Sequence, residues 1–172
     1  VEENEEFIAN VNDLGPLLRN FEFRVPRIQV IISKLCRIVI TKSSNVNYPA
    51  SLKLISSVLP IATSNAQMIL QNSVLEILSR INDIRAITEA IKSTLLMLQN
   101  IIDPVSIVKS LINILTKDEI CDAICQSSEL IVLCRNSMQN DSLRDCLIEL
   151  ICHLLPFDPK AFPYFPFRRR GT

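Results

Sequence analysis

The stretch Ile77-Leu78-Ser79-Arg80-Ile81-Asn82-Asp83-Ile84-Arg85-Ala86-Ile87 returns about 37 residues later, without a gap, as Ile114-Leu115-Thr116-Lys117-Asp118-Glu119-Ile120-Cys121-Asp122-Ala123-Ile124. Each copy reads as the end of one amphipathic helix, a polar corner and the start of the next. A corner used twice implies a structural unit used at least twice, which is the mark of stacked helical pairs.

Working outward, apolar residues recur at three or four positions on both sides of these corners. Toward the N-terminus, Leu70, Val74, Ile77, Leu78 and Ile81 form one stripe, and Ser64 or Asn65 is expected to cap that helix. After Asn82-Asp83, the series Ile84, Ile87, Ile91, Leu95, Leu98 and Ile102 predicts one long helix. Asp103-Pro104 supplies a cap and a first helical residue for a helix through Ile107, Leu111 and Leu115. Thr116 and Glu119 have capping-box spacing. Ile120, Ile124, Ile131, Cys134 and Met138 read as a single helix that Ser127-Ser128 bends. Asn140-Asp141-Ser142 starts the last helix, and Pro156 ends it.

Nearer the start, Pro26 opens a segment in which Ile28, Val30, Ile31, Ile32, Leu35, Cys36, Ile38, Val39 and Ile40 leave little polar surface. It reads as a centrally buried helix, with a strand pair as the competing reading because of its β-branched content. Pro49 opens the next helix and Pro60 stops or kinks it. Helix ends thus fall near 42, 80, 117 and 156, a period of about 37 to 39 residues suited to helical hairpins.

Composition agrees. Hydrophobic residues make up 48% and charged residues 21% of 172, enough for one sizeable core. Only two glycines are present, too few for hairpin-rich β structure. The fold expected is all-α, stacked helical hairpins forming a short α-α superhelix over 26–156. An irregular lead (1–25) precedes it and an aromatic, proline-rich basic tail (157–172) follows. A globular bundle of the same helices is the alternative. In period and pattern the chain resembles the armadillo and HEAT class of α-solenoids, without their consensus residues, the armadillo third helix or its glycine-rich corners.

Eighteen basic against eighteen acidic residues give no net charge, which argues against nucleic acid as a partner and against a field drawing the chain to a membrane. No apolar run reaches the length of a membrane span. The acidic start, Val1-Glu2-Glu3-Asn4-Glu5-Glu6, lacks the zones of a signal peptide, so an intracellular protein, of cytoplasm or nucleus, is expected.

Catalytic signatures are missing. There is no phosphate-binding glycine loop, metalloprotease helix or nucleophile elbow, and the chain is read as not an enzyme. Five of the six cysteines, Cys121, Cys125, Cys134, Cys146 and Cys152, fall in the last third, with His153 beside one of them. Their spacings match no zinc motif, and buried cysteine behaves as a small hydrophobe. We therefore assign no metal and no cofactor. Adjacent helical residues point about 100° apart, which prevents Cys152 and His153 from forming a dyad.

Phe162, Tyr164, Phe165 and Phe167, followed by Arg168, Arg169 and Arg170, cannot be helical. They are candidates either to close the end of the stack or to dock on a partner or a second copy. The function expected is a protein-interaction module, a fragment of a larger intracellular scaffold or adaptor. Its groove would hold a partner peptide or helix, or flanking domains of the same protein. Arg80, Arg85, Lys92, Lys109, Lys117 and Arg135 are its candidate surface cations. A secreted helical ligand-binding domain stapled by cysteines is the rival, and a metal-bound interaction domain a third possibility.

Overall fold

The computed structural model describes residues 13–22, 25–101, 103–137 and 139–156. Among these there are helices and no strand. The order is α1 (Gly15–Leu18) with a 3-10 turn (Arg19–Glu22), α2 (Pro26–Lys42), α3 (Tyr48–Val58), α4 (Ser64–Arg80), α5 (Ile84–Met97), α6 (Pro104–Ile114), α7 (Asp118–Cys125), α8 (Ser128–Asn136) and α9 (Asp141–Leu154). Two further 3-10 turns, Leu59–Ile61 and Leu98–Asn100, follow α3 and α5. The β-branched run after Pro26 is a helix throughout, which disposes of the strand alternative. No helix among the described residues is long and apolar enough to cross a membrane.

The closest backbone packing links alternate helices. On one side α2 packs on α4, α4 on α6 and α6 on α9; on the other α1 packs on α3, α3 on α5, and α5 on both α7 and α8. Two rows result, with the apolar stripes meeting between them. A single cluster of buried side chains runs from Leu14 to Leu154. At roughly 1.5 to 3 kcal/mol for each large aliphatic side chain removed from water, this burial drives the fold.

Helix starts follow side-chain chemistry. Asn47, Thr63, Asp83, Asp103 and Asn140 accept backbone N–H bonds from Ala50, Ala66, Ala86, Val105 and Leu143 at 3.0–3.4 Å. Each satisfies a donor that a helix start leaves unpaired. Helix exits explain the scarcity of glycine. Ser43, Ala62, Ile81 and Ile101 all leave in extended conformation, with ψ between 131° and 139°, so these corners need no residue at positive φ. The repeated stretch spans one such corner, between α4 and α5, and a second between α6 and α7, where Leu115 leaves at ψ 62° with φ still negative.

Side chains also bind one helical pair to the next. Gln29, buried in the first turns of α2, donates from Nε2 to the Ile61 carbonyl at 3.1 Å and accepts from the Thr63 N–H at 2.9 Å. It thereby holds the linker that enters α4. Gln67 and Gln71 of α4 repeat the move on the linker into α6, donating to the carbonyls of Asn100 and of Asp103 (2.8 Å for the latter). Gln29 and Gln67 each stand fourth in their helix.

Several local expectations are corrected. Thr63, not Ser64 or Asn65, caps α4. The long helix from Ile84 ends at Met97 and tightens into its 3-10 turn, because the chain must become extended before the Asp103-Pro104 restart. The single helix expected from Ile120 to Met138 is two. Ser127 turns extended (ψ 138°) while its hydroxyl donates to the Ile124 carbonyl at 2.6 Å, a local bond that competes with the helical ladder. Thr116 and Glu119 form no capping box, since α7 begins one residue late and Lys117, which has no acceptor, occupies the cap position. Finally, α2 is not centrally buried: Ile28, Ile31, Leu35 and Ile38 are 37%, 56%, 41% and 42% exposed.

Candidate functional site

Two adjoining depressions lie on the second row. One depression of about 380 Å³ is lined by Asp13, Gly15, Leu18, Arg19, Leu54, Ser57, Val58 and Ile61. A second, of about 390 Å³, is lined by Lys53, Ser56, Ser57, Glu89, Lys92, Ser93, Leu96 and Glu129. They meet at Ser57. Together they form one shallow path over α1, α3, α5 and α8, positioned because these helices are neighbours in their row.

Its chemistry is mixed. Leu54, Val58, Ile61 and Leu96 give apolar floor, while Lys53, Glu89, Lys92 and Glu129 set opposite charges along the wall. Lys92 Nζ lies 3.8 Å from Glu89 Oε1, one turn earlier on α5, a half-exposed pair of small energetic value. The lining thus combines apolar groups with side chains of both charges. A third depression, about 440 Å³, lies where the N-terminal halves of α2 and α4 meet, lined by Pro26, Arg27, Val30, Ile31, Thr63, Ser64 and Asn65.

Of the surface cations singled out from the sequence, only Lys92 enters the path. Arg80 is paired with Glu76 at 2.7 Å at the end of α4, and Arg85, Lys109, Lys117 and Arg135 are exposed elsewhere. Phe162, Tyr164, Phe165, Phe167, Arg168, Arg169 and Arg170 lie outside the described residues. Lys53, Glu89 and Glu129 were missed. The signal for the first two was positional, since Lys53 and Glu89 stand opposite the buried stripes of α3 and α5, whereas Glu129 flanks that of α8.

Five of the six thiols are buried in the core. No disulfide joins any of the six cysteines, and all but Cys152 are buried. Burial pushes the Cys36 and Cys134 thiols up to about 12. It also raises Cys121 and Cys146, with help from Asp118 and Glu149 respectively. A thiol held protonated is a poor nucleophile. Cys121 and Cys125, one turn apart on α7, point their sulfurs at the carbonyls of Leu115 (3.5 Å) and Leu154 (3.8 Å). His153 Nε2 lies 3.0 Å from the Leu115 carbonyl, reaching from α9 to the end of α6, while Cys152 is exposed. Among the described residues no group of three or more His, Cys, Asp or Glu is placed to hold a metal ion.

Compared with protein families, curated proteins and solved structures, the chain matches none.

Proposed function

We propose that the chain is a short α-α superhelix of the armadillo or HEAT kind, and that it works without catalysis as a protein-interaction module of an intracellular scaffold or adaptor. The observation that carries this reading is the pair of adjoining depressions, sharing Ser57, over α1, α3, α5 and α8. Row packing between alternate helices supports a superhelix over a globular bundle, because each hairpin then meets chiefly its neighbours. A path shared by successive members of one row is the surface on which such proteins hold extended peptides or helices, through several shallow contacts. The buried, protonated thiols and the absence of a disulfide favour this reading over a cysteine-stapled secreted carrier.

The test is charge reversal in the path. Lys53→Glu with Lys92→Glu changes exposed and half-exposed groups, so the melting temperature is expected to move by no more than about 2 °C. Proximity labelling in cells with the full chain is expected to recover a set of proteins that the double variant loses. An identical set from both forms would remove the path from the function.

A further inference from the structure

We infer that the exposed stripe on α2, Ile28, Ile31, Leu35 and Ile38, is a docking surface for an acidic amphipathic helix. This rests on reading the chain as an interaction module and names a second surface and its kind of partner. The four side chains are 37–56% exposed and spaced by three, four and three residues, the a and d positions of a heptad. Side chains so spaced form a seam that one helix presents to another. α2 has a described row neighbour on one side only, α4.

Charge selects the partner. Arg27, Lys34, Arg37 and Lys42 are exposed, and α2 contains no acidic residue. Arg27 and Lys34 precede Ile28 and Leu35 and therefore flank the seam at its g positions. None of the four basic groups has a carboxylate within ion-pair distance among the described residues. The e positions, Ile32 and Val39, are 6% exposed and belong to the chain's own core. The seam thus has a basic edge and a closed edge, and a helix with glutamates facing Arg27 and Lys34 complements it.

A second copy fits poorly. Antiparallel pairing of two α2 helices sets g against g, placing Arg27 and Lys34 opposite the same bases. Parallel pairing sets g against e, and the e side is already buried. A bilayer fits poorly too, because a helix lying on a membrane has its apolar stripe at the crest of its exposed face, whereas this one borders the core.

The test uses the full chain and a synthetic peptide of about 18 residues, with leucine at i, i+3, i+7 and i+10 and glutamate beside them. Fluorescence anisotropy is expected to show saturable binding that weakens when salt rises from about 50 to about 300 mM. Ile31→Asp with Leu35→Asp, and separately Arg27→Glu with Lys34→Glu, are each expected to weaken it about tenfold or more. Far-UV circular dichroism verifies that these surface variants fold. Absence of binding overturns the inference, as does equal binding of a peptide with lysine for glutamate. So does concentration-dependent dimerisation abolished by the aspartate pair, or co-sedimentation with phosphatidylserine vesicles that the glutamate pair abolishes without any peptide binding. Binding that shifts amide resonances of α3, α5 and α8 instead of α2 overturns this inference alone and leaves the path's function standing.

Discussion

Gln29 shows how much one polar side chain contributes when both ends of its amide are used. It serves the Ile61 carbonyl and the Thr63 N–H, 32 and 34 residues away, so Gln29→Ala leaves two backbone groups without their partner. We expect a loss of about 2 to 3 kcal/mol in urea denaturation, since each buried group left unpaired costs about 1 to 3 kcal/mol. Gln71 makes one bond, and its Oε1 is buried without a partner. Gln71→Leu removes that orphan along with the bond, and we expect a change within about 1 kcal/mol. A larger cost at Gln71 than at Gln29 would contradict this account. The cysteines give a second test. Ellman's reagent is expected to modify one thiol quickly, Cys152, and the rest only on unfolding; more than one fast thiol would place a buried cysteine wrongly. Because burial raises Cys36 from 9.0 to about 12, the native state keeps a proton that the unfolded chain releases above pH 9. Stability from this group is therefore whole below about pH 9 and is lost as pH rises toward 12. Urea midpoints taken across that range are expected to fall, and less steeply in Cys36→Ala.

At the level of elements, side-chain caps mark five helix starts, and among those without one α7 is a weak case. Lys117 already has cap geometry (φ −110°, ψ 138°) but no side-chain acceptor, and α7 is eight residues long. Lys117→Asn supplies the acceptor and is expected to stabilise the protein by about 0.5 to 1 kcal/mol, whereas Thr63→Ala and Asn140→Ala each lose about 1 kcal/mol. Chemical denaturation of the three variants checks the signs, and a destabilising Lys117→Asn would mean that α7 starts elsewhere. The same chemistry marks what could be read from the sequence. Asp103-Pro104 and Asn140 were legible because a cap residue stands directly before an apolar period. The start of α7 was not, because Thr116 and Glu119 imitate a capping box one residue out of register. The break between α7 and α8 was half legible: Ser127-Ser128 signalled a disturbance, but whether serine bends a helix or ends it depends on its backbone turning extended. The exposed seam of α2 escaped because an apolar period gives the width of a stripe and not the number of neighbours that cover it. The path over α3, α5 and α8 escaped for a related reason, since it joins residues from hairpins far apart in the chain.

For the whole molecule, the superhelix we propose predicts how it should unfold. In a stack, stability is close to a sum of hairpin terms and nearest-neighbour interfaces. Here the corners are short and one buried cluster spans the described helices from end to end, so the interfaces dominate. With so few pairs, losing one interface exposes the next, and the chain is expected to unfold in a single calorimetric transition. Protection within that transition should still be graded, because α4 and α5 are the longest of the four helices, α3 to α6, that have row neighbours on both sides, and α4 is also gripped through Gln29. By contrast, α1 is four residues long, and α7 lacks a side-chain cap and ends in a break. Amide exchange is therefore expected to be slowest in α4 and α5, near the global limit, and fastest in α1 and α7, which open locally. Two separated thermal transitions, or protection of α7 equal to that of α4, would show that the hairpins are held by their own contacts and not by their neighbours. The row architecture would then have no energetic consequence, and the proposed binding surface across α1, α3, α5 and α8 would have no rigid frame on which to stay aligned.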